Sequence, residues 1–122
     1  ASLFTLFTHH AKTVHNLIAG MRNALLKEGG FQNERIAAEQ VADCINYDIH
    51  MKKKTDGHRY IERITEIVPD KEKIYEARDL IVWKDGQYIC KDEISKSGKA
   101  ALEGIYTINQ RKEFEQFLDR WK

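Results

Sequence analysis

Tyr47-Asp48-Ile49-His50-Met51, then Lys52-Lys53-Lys54-Thr55-Asp56-Gly57, then Arg59-Tyr60-Ile61-Glu62-Arg63-Ile64-Thr65-Glu66-Ile67-Val68 is the stretch on which the fold turns. Apolar and polar residues alternate in the first piece. This is the period of a strand with one face on a core, so Tyr47, Ile49 and Met51 are expected to point inward. The middle piece carries turn chemistry in Asp56-Gly57. In the third piece Tyr60, Ile61, Ile64, Ile67 and Val68 occupy both faces, which suits a strand inside a sheet better than one at its edge. Pro69, the single proline, lacks the N–H a ladder needs and is expected to close the strand. A β-hairpin over residues 47–68 follows.

Upstream of the hairpin the period changes. Val14, Leu17, Ile18, Met21, Ala24 and Leu25 recur at steps of three and four, which predicts a helix from Lys12 to Glu28, stopped by Gly29-Gly30. Asn33 is a good N-cap for a second helix with Ile36, Ala37, Val41, Cys44 and Ile45 buried and Glu34, Arg35, Glu39 and Asp43 outward. Ahead of both, Leu3-Phe4-Thr5-Leu6-Phe7 has strand character. Because the chain opens at Ala1-Ser2 directly before that run, it is expected to be a piece of a longer polypeptide whose other part supplies neighbouring strands.

Downstream of Pro69 a charged linker is expected from Asp70, then a second hairpin in which Leu80-Ile81-Val82-Trp83 and Tyr88-Ile89-Cys90 flank Lys84-Asp85-Gly86-Gln87. Residues 95–104 predict a short helix despite two glycines. A closing helix places Phe114, Phe117, Leu118 and Trp121 on one stripe. With Trp83 and Tyr88, these aromatics read as core rather than as a binding face. The order of elements is α/β passing into α+β, divided into residues 1–68 and an extension over 69–122.

A length of 122 residues with 42% hydrophobic content fits one domain with a modest core. Twenty Lys and Arg against 19 Asp and Glu leave a formal net charge of +1, so no general attraction to nucleic acid or membrane is expected. Cys44 and Cys90 stand alone, without zinc-site spacing, and read as reduced, buried thiols of a cytoplasmic protein. No apolar run approaches the roughly 20 residues of a membrane span, and no secretory leader pattern opens the chain.

Chemistry concentrates at Thr8-His9-His10-Ala11, where a loop leads into the first helix. Ligands of open α/β sheets bind at such places, beyond the carboxyl ends of the strands. A threonine hydroxyl and an imidazole can donate to a phosphate oxygen, and Lys12 adds charge. The alternative is a polar strand end that merely starts a helix. His9, His10 and His15 make a poor metal cage, since neighbouring residues on a strand face opposite ways, and no metal site is expected. A phosphate-binding G-x-x-x-x-G-K-[ST] loop is absent. Ser97-Gly98-Lys99-Ala100 imitates its end, but Glu93 stands where the first glycine belongs and Ala100 where a magnesium-binding hydroxyl belongs. Lys52-Lys53-Lys54 with His58 and Arg59 reads as a solvated basic turn. Arg59 and Arg63 need partners on a strand. Either Glu62 and Glu66 supply an ion-pair ladder, or the arginines present charge to a neighbouring subunit's nucleotide.

Four stretches together resemble the type II/IV secretion ATPases, most closely the branch serving tight-adherence pili and conjugation. Phe7-Thr8-His9-His10-Ala11-Lys12-Thr13 resembles that family's Thr-x-His-Ala histidine box, and the helix after it resembles the one that follows the box. Glu39-Gln40-Val41-Ala42-Asp43-Cys44-Ile45-Asn46-Tyr47-Asp48-Ile49-His50 is similar to the glutamine-bearing helix leading into a strand. Asp56-Gly57-His58-Arg59, running on to Ile64-Thr65-Glu66-Ile67, resembles the strand after it. The likeness covers roughly residues 4–68 and fades beyond Pro69.

The resemblance implies the C-terminal part of a RecA-like P-loop ATPase core, assembled as a homo-oligomeric ring, a hexamer, on inner-membrane platform proteins at the cytoplasmic face. It implies His10 as γ-phosphate sensor with Thr8 as its support, and Lys12, Gln40, Arg59 and Arg63 as nucleotide or intersubunit contacts. ATP and Mg would bind the intact parent, with none held stably by this chain alone, whose Walker A loop and acidic strand are missing. His9 and Lys12 depart from the usual residues of the box. The competing expectation is a free-standing α+β protein-interaction module without nucleotide chemistry.

Overall fold

The computed structural model describes residues 6–30, 33–103 and 108–121, the side chains of residues 103, 108, 111, 114, 118, 120 and 121 aside. It is a mixed α/β fold in which two helices precede a four-stranded antiparallel sheet and two helices follow it. Of the expected opening strand, Leu3-Phe4-Thr5 lies outside the described residues. Leu6 and Phe7 are in no strand and are exposed.

Helix α1 (Val14–Glu28) starts where Thr13 Oγ1 accepts the Asn16 N–H and stops where the Gly29 N–H closes on the Leu25 carbonyl. Helix α2 (Glu34–Cys44) starts at the expected cap, with Asn33 Oδ1 accepting the Ile36 N–H. Val14, Leu17 and Ile18 of α1 meet Val41 of α2 and Ile45 just beyond it. The buried stripe of α2 runs through Ala37, Ala38, Val41 and Ala42, leaving Ile36 and Cys44 exposed, contrary to expectation. Three alanines on that stripe let the helix backbone lie close against its neighbours, and the larger Ile36 falls outside. Cys90 is exposed as well.

Strands β1 (Tyr47–Lys53), β2 (Arg59–Asp70), β3 (Ile74–Lys84) and β4 (Gln87–Cys90) pair in chain order, so β1 and β4 form the edges and β2 lies inside as expected. On β1 the period is as read but the sense is reversed. Asp48 is 2% exposed while Ile49 and Met51 are 52% and 55% exposed. The face toward α1 belongs to the carboxylate because Arg63 and His9 satisfy it there, and the apolar residues take the open side. Pro69 does not end β2. It pairs with Tyr75 past the last β1 partner, Tyr47 opposite Glu66, so its missing N–H costs the β1 ladder nothing.

The expected charged linker after Asp70 is mostly strand, since Thr65–Asp70 of β2 pairs with Ile74–Asp79 of β3. A boundary after residue 68 thus falls inside one hairpin. In its turn Asp70 accepts the N–H groups of Lys73 and Glu72, which hold its carboxyl below the usual range, and Ile74 follows at φ 74°. Such a left-handed conformation is unusual for a β-branched residue and costs about 1–3 kcal/mol. The second hairpin forms as expected, with Asp85 and Gly86 both at positive φ, the signature of a type I′ turn.

Thr65, Glu66 and Ile67 set what lies on each side of the sheet, because successive side chains on a strand face opposite ways. Ile67 joins the core made by α1 and α2. Glu66, pointing oppositely, accepts both the backbone N–H and the hydroxyl of Ser95, which leads into α3 (Lys96–Glu103). Helix α4 (Ile108–Trp121) closes the chain. The expected stripe of Phe114, Leu118 and Trp121 lies outside the described side chains. Phe117 is partly exposed and, with Ile64, Leu80, Ile81, Ile94 and Leu102, lines an open apolar groove of about 380 Å3.

Candidate functional site

The loop of residues 6–13 crosses the edge of the sheet before α1 and bounds an open groove of about 510 Å3 against β1. Its anchor is His9. The Ala11 N–H donates to His9 Nδ1 at 3.2 Å, and His9 Nε2 lies 3.0 Å from Asp48 Oδ1. An imidazole that accepts at Nδ1 carries its proton at Nε2, so a neutral His9 donates to the carboxylate with both nitrogens satisfied.

Asp48 Oδ2 accepts from Arg63 Nη1 at 3.0 Å, and the same nitrogen donates to Thr65 Oγ1 at 2.9 Å. The Thr65 hydroxyl donates to Asp79 Oδ1 at 2.7 Å, and Arg63 Nη2 reaches the Lys12 carbonyl at 3.2 Å. A connected polar chain therefore runs from the loop through β1 and β2 to β3. Within it the buried Asp48 carboxylate and the half-buried Arg63 guanidinium are joined by directed hydrogen bonds, the condition under which charge is tolerated in a protein interior, and the polar chain ends at the exposed Asp79. Among the described residues no buried side-chain nitrogen or oxygen is left without a partner.

The residues expected from sequence fall into distinct places around this chain. His10 and Thr8 are exposed and, among the described residues, make no side-chain hydrogen bond or ion pair. Lys12 is exposed and contributes its carbonyl to Arg63. Arg63 is half-buried and committed to Asp48, Thr65 and Lys12, not to Glu62 or Glu66. Those glutamates pair elsewhere, Glu62 with Lys52 at 2.6 Å and Glu66 with Arg78 at 3.5 Å. Lys52 is held above its ordinary value by the hydrogen bond to Glu62. Arg59 is exposed at the far end of β2, opposite Lys53, and Gln40 is exposed on α2. Thr8, His10, Lys12 and Arg63 thus meet at one loop, whereas among the described residues no hydrogen bond joins Arg59 or Gln40 to it.

The three imidazoles near the start of the chain do not converge. His9 faces Asp48, and His15 Nδ1 lies 3.3 Å from the Tyr75 hydroxyl, whose ionisation burial pushes up. Among the described residues no three His, Cys, Asp or Glu side chains gather as metal ligands. Sequence reasoning passed over Asp48, Thr65 and Asp79. One signal was available for the first, since aspartate is depleted in strands and one found there calls for a partner.

The basic turn makes a separate cluster. Lys54 Nζ stands 5.5 Å from the ring centroids of both Tyr60 and Trp83, and Trp83 meets Tyr88 edge-on at 4.8 Å. No helix among the described residues is long and apolar enough to cross a membrane. Compared with known protein-family models, curated proteins and solved structures, the chain matches none.

Proposed function

We propose that this chain is the C-terminal segment of a secretion, pilus-assembly or conjugation motor ATPase, whose Thr8-to-Ala11 loop senses the γ-phosphate of ATP held by a phosphate loop outside these 122 residues. The supporting observation is convergence. The histidine-box stretch, the strand entered at Tyr47 and the Arg59–Ile67 strand meet in one hydrogen-bonded network, although 39 residues separate His9 from Asp48 and 15 separate Asp48 from Arg63. In this assignment residues 1–68, with α1, α2, β1 and most of β2, are the later part of a RecA-like core, and residues 69–122 are an extension to it. The intact polypeptide forms a ring, a hexamer, on membrane platform proteins at the cytoplasmic face.

The residues present do not by themselves fit MgATP. They include no wrapping glycine loop, and the described ones gather no metal-ligating group. What the chain offers is the Thr8 hydroxyl, the His10 imidazole and the Lys12 ammonium, exposed donors on one loop that suit the rim of a phosphate site. His10 is the sensor and Thr8 its support.

The test is turnover in the intact ATPase. His10→Ala is expected to lower kcat by about 100-fold, the scale of losing one donor aimed at developing charge, with nucleotide affinity nearly unchanged. The 122-residue chain alone is expected to hydrolyse no ATP. An unaltered kcat in His10→Ala rejects the sensor, and hydrolysis by the chain alone rejects the division of labour.

A further inference from the structure

His9 occupies the variable place of the Thr-x-His-Ala pattern, yet it is the box imidazole that the fold holds. We propose that His9, seated on Asp48, is a positioning residue that fixes the loop so that His10 projects into the groove's open mouth. The proposal rests on the sensor assignment of His10 and adds how that sensor is aimed.

The geometry brackets His10 on both sides. His9 Nδ1 accepts the Ala11 N–H, closing a hydrogen bond across the residue between them. The other ring nitrogen reaches Asp48, so the closed turn is tied to β1 rather than left to swing. Arg63 adds a second tie by holding the Lys12 carbonyl with one nitrogen and Asp48 with the other. The backbone on either side of His10 is thus pinned to the same buried carboxylate, once through His9 and once through Arg63. His10 is left exposed and, among the described residues, free of side-chain bonds. An imidazole meant to meet an incoming phosphate must be both placed and unoccupied, and the two ties supply the first without spending the second.

Each bond to His9 requires a different nitrogen, which makes the proposal specific to one tautomer. Gln in its place can reach Asp48 with an amide N–H but cannot also accept the Ala11 N–H from the ring position. His9→Gln leaves the Asp48 to Arg63 pair intact, so it disturbs the loop without stranding a buried charge.

Two measurements test this. In the chain itself, long-range 1H–15N correlation is expected to show His9 as a fixed Nε2–H tautomer and His10 as the averaged mixture of a free imidazole. Asp48→Asn is expected to return His9 to the averaged pattern. A wild-type His9 that is averaged, or carries its proton at Nδ1, overturns the proposal whatever the turnover. In the intact ATPase, His9→Gln and Asp48→Asn are each expected to lower kcat about 10- to 100-fold, the cost of a small misplacement, with KM for ATP within about twofold. Neither is expected to lower it further in the His10→Ala background. If His10→Ala impairs turnover while His9→Gln does not, the positioning role is wrong and the sensor stands. If His10→Ala has no effect, both are wrong.

Discussion

Asp48 commits its two carboxylate oxygens to different partners, one half-buried guanidinium and one imidazole, and they differ in what their loss leaves behind. Without Arg63 a carboxylate at 2% exposure has no countercharge, whereas without His9 it keeps its ion pair and loses one hydrogen bond. Arg63→Met, which preserves the stem, is expected to destabilise the chain by about 3–5 kcal/mol. His9→Gln is expected to cost about 1 kcal/mol or less. Urea denaturation of both variants checks the order, and equal costs would mean that Arg63 holds Asp48 no more strongly than His9 does. The same residue marks where sequence alone misleads. Tyr47, Ile49 and Met51 advertise an inward face by hydrophobicity, but a carboxylate with two well-placed partners outweighs them on an edge strand, where apolar side chains are not forced inside. The partners lie 15 and 39 residues away, and no local pattern announces them.

Elements whose signals are local were legible: the Asn33 cap, the stop after Glu28, the Asp85-Gly86 turn and the interior place of β2 each follow from a few adjacent residues. Ile74–Asp79 was not, because its strand status comes from pairing with β2 and from charges satisfied across the sheet, Arg78 by Glu66 and Asp79 by Thr65. The attachment of α3 was equally hidden. Its leading residue Ser95 uses its hydroxyl both to donate to Glu66 and to accept the Gly98 N–H, so the helix start is fastened directly to a buried carboxylate. A Cβ on Gly98 would stand 2.6 Å from Glu66 Oε2 and 2.7 Å from Ile94 Cγ2, whereas one on Gly20, within α1, would meet nothing within 4 Å. One substitution therefore has opposite signs in two helices. Gly20→Ala is expected to stabilise by about 0.5–1 kcal/mol through helix propensity. Gly98→Ala is expected to destabilise by about 1–3 kcal/mol as α3 is pushed from the sheet. Thermal unfolding of the two variants reads both, and a neutral Gly98→Ala would show that α3 is not seated closely on Glu66.

At the scale of the whole molecule, the two sides of the sheet are unevenly finished. The side toward α1 and α2 holds both the apolar cluster around Ile67 and the polar chain through Asp48. The edge at β1 exposes Ile49 and Met51 beside a groove bounded by Leu6 and Phe7, which are themselves exposed. An edge strand with exposed apolar side chains is a template for pairing with another strand, and on β1 the lysines that would discourage pairing sit at its end, at Lys52 and Lys53. The chain by itself is therefore expected to self-associate through β1 as concentration rises. Ile49→Lys and Met51→Lys place charge in the middle of that edge without touching Asp48 or the buried cluster, so both should suppress association while shifting the thermal midpoint by no more than about 2 °C, in line with the small cost of surface substitutions. Sedimentation velocity across a concentration series, with thermal unfolding on the same samples, separates the outcomes. Association that persists in both variants would move the sticky surface from the β1 edge to the apolar groove around Ile81 and Phe117.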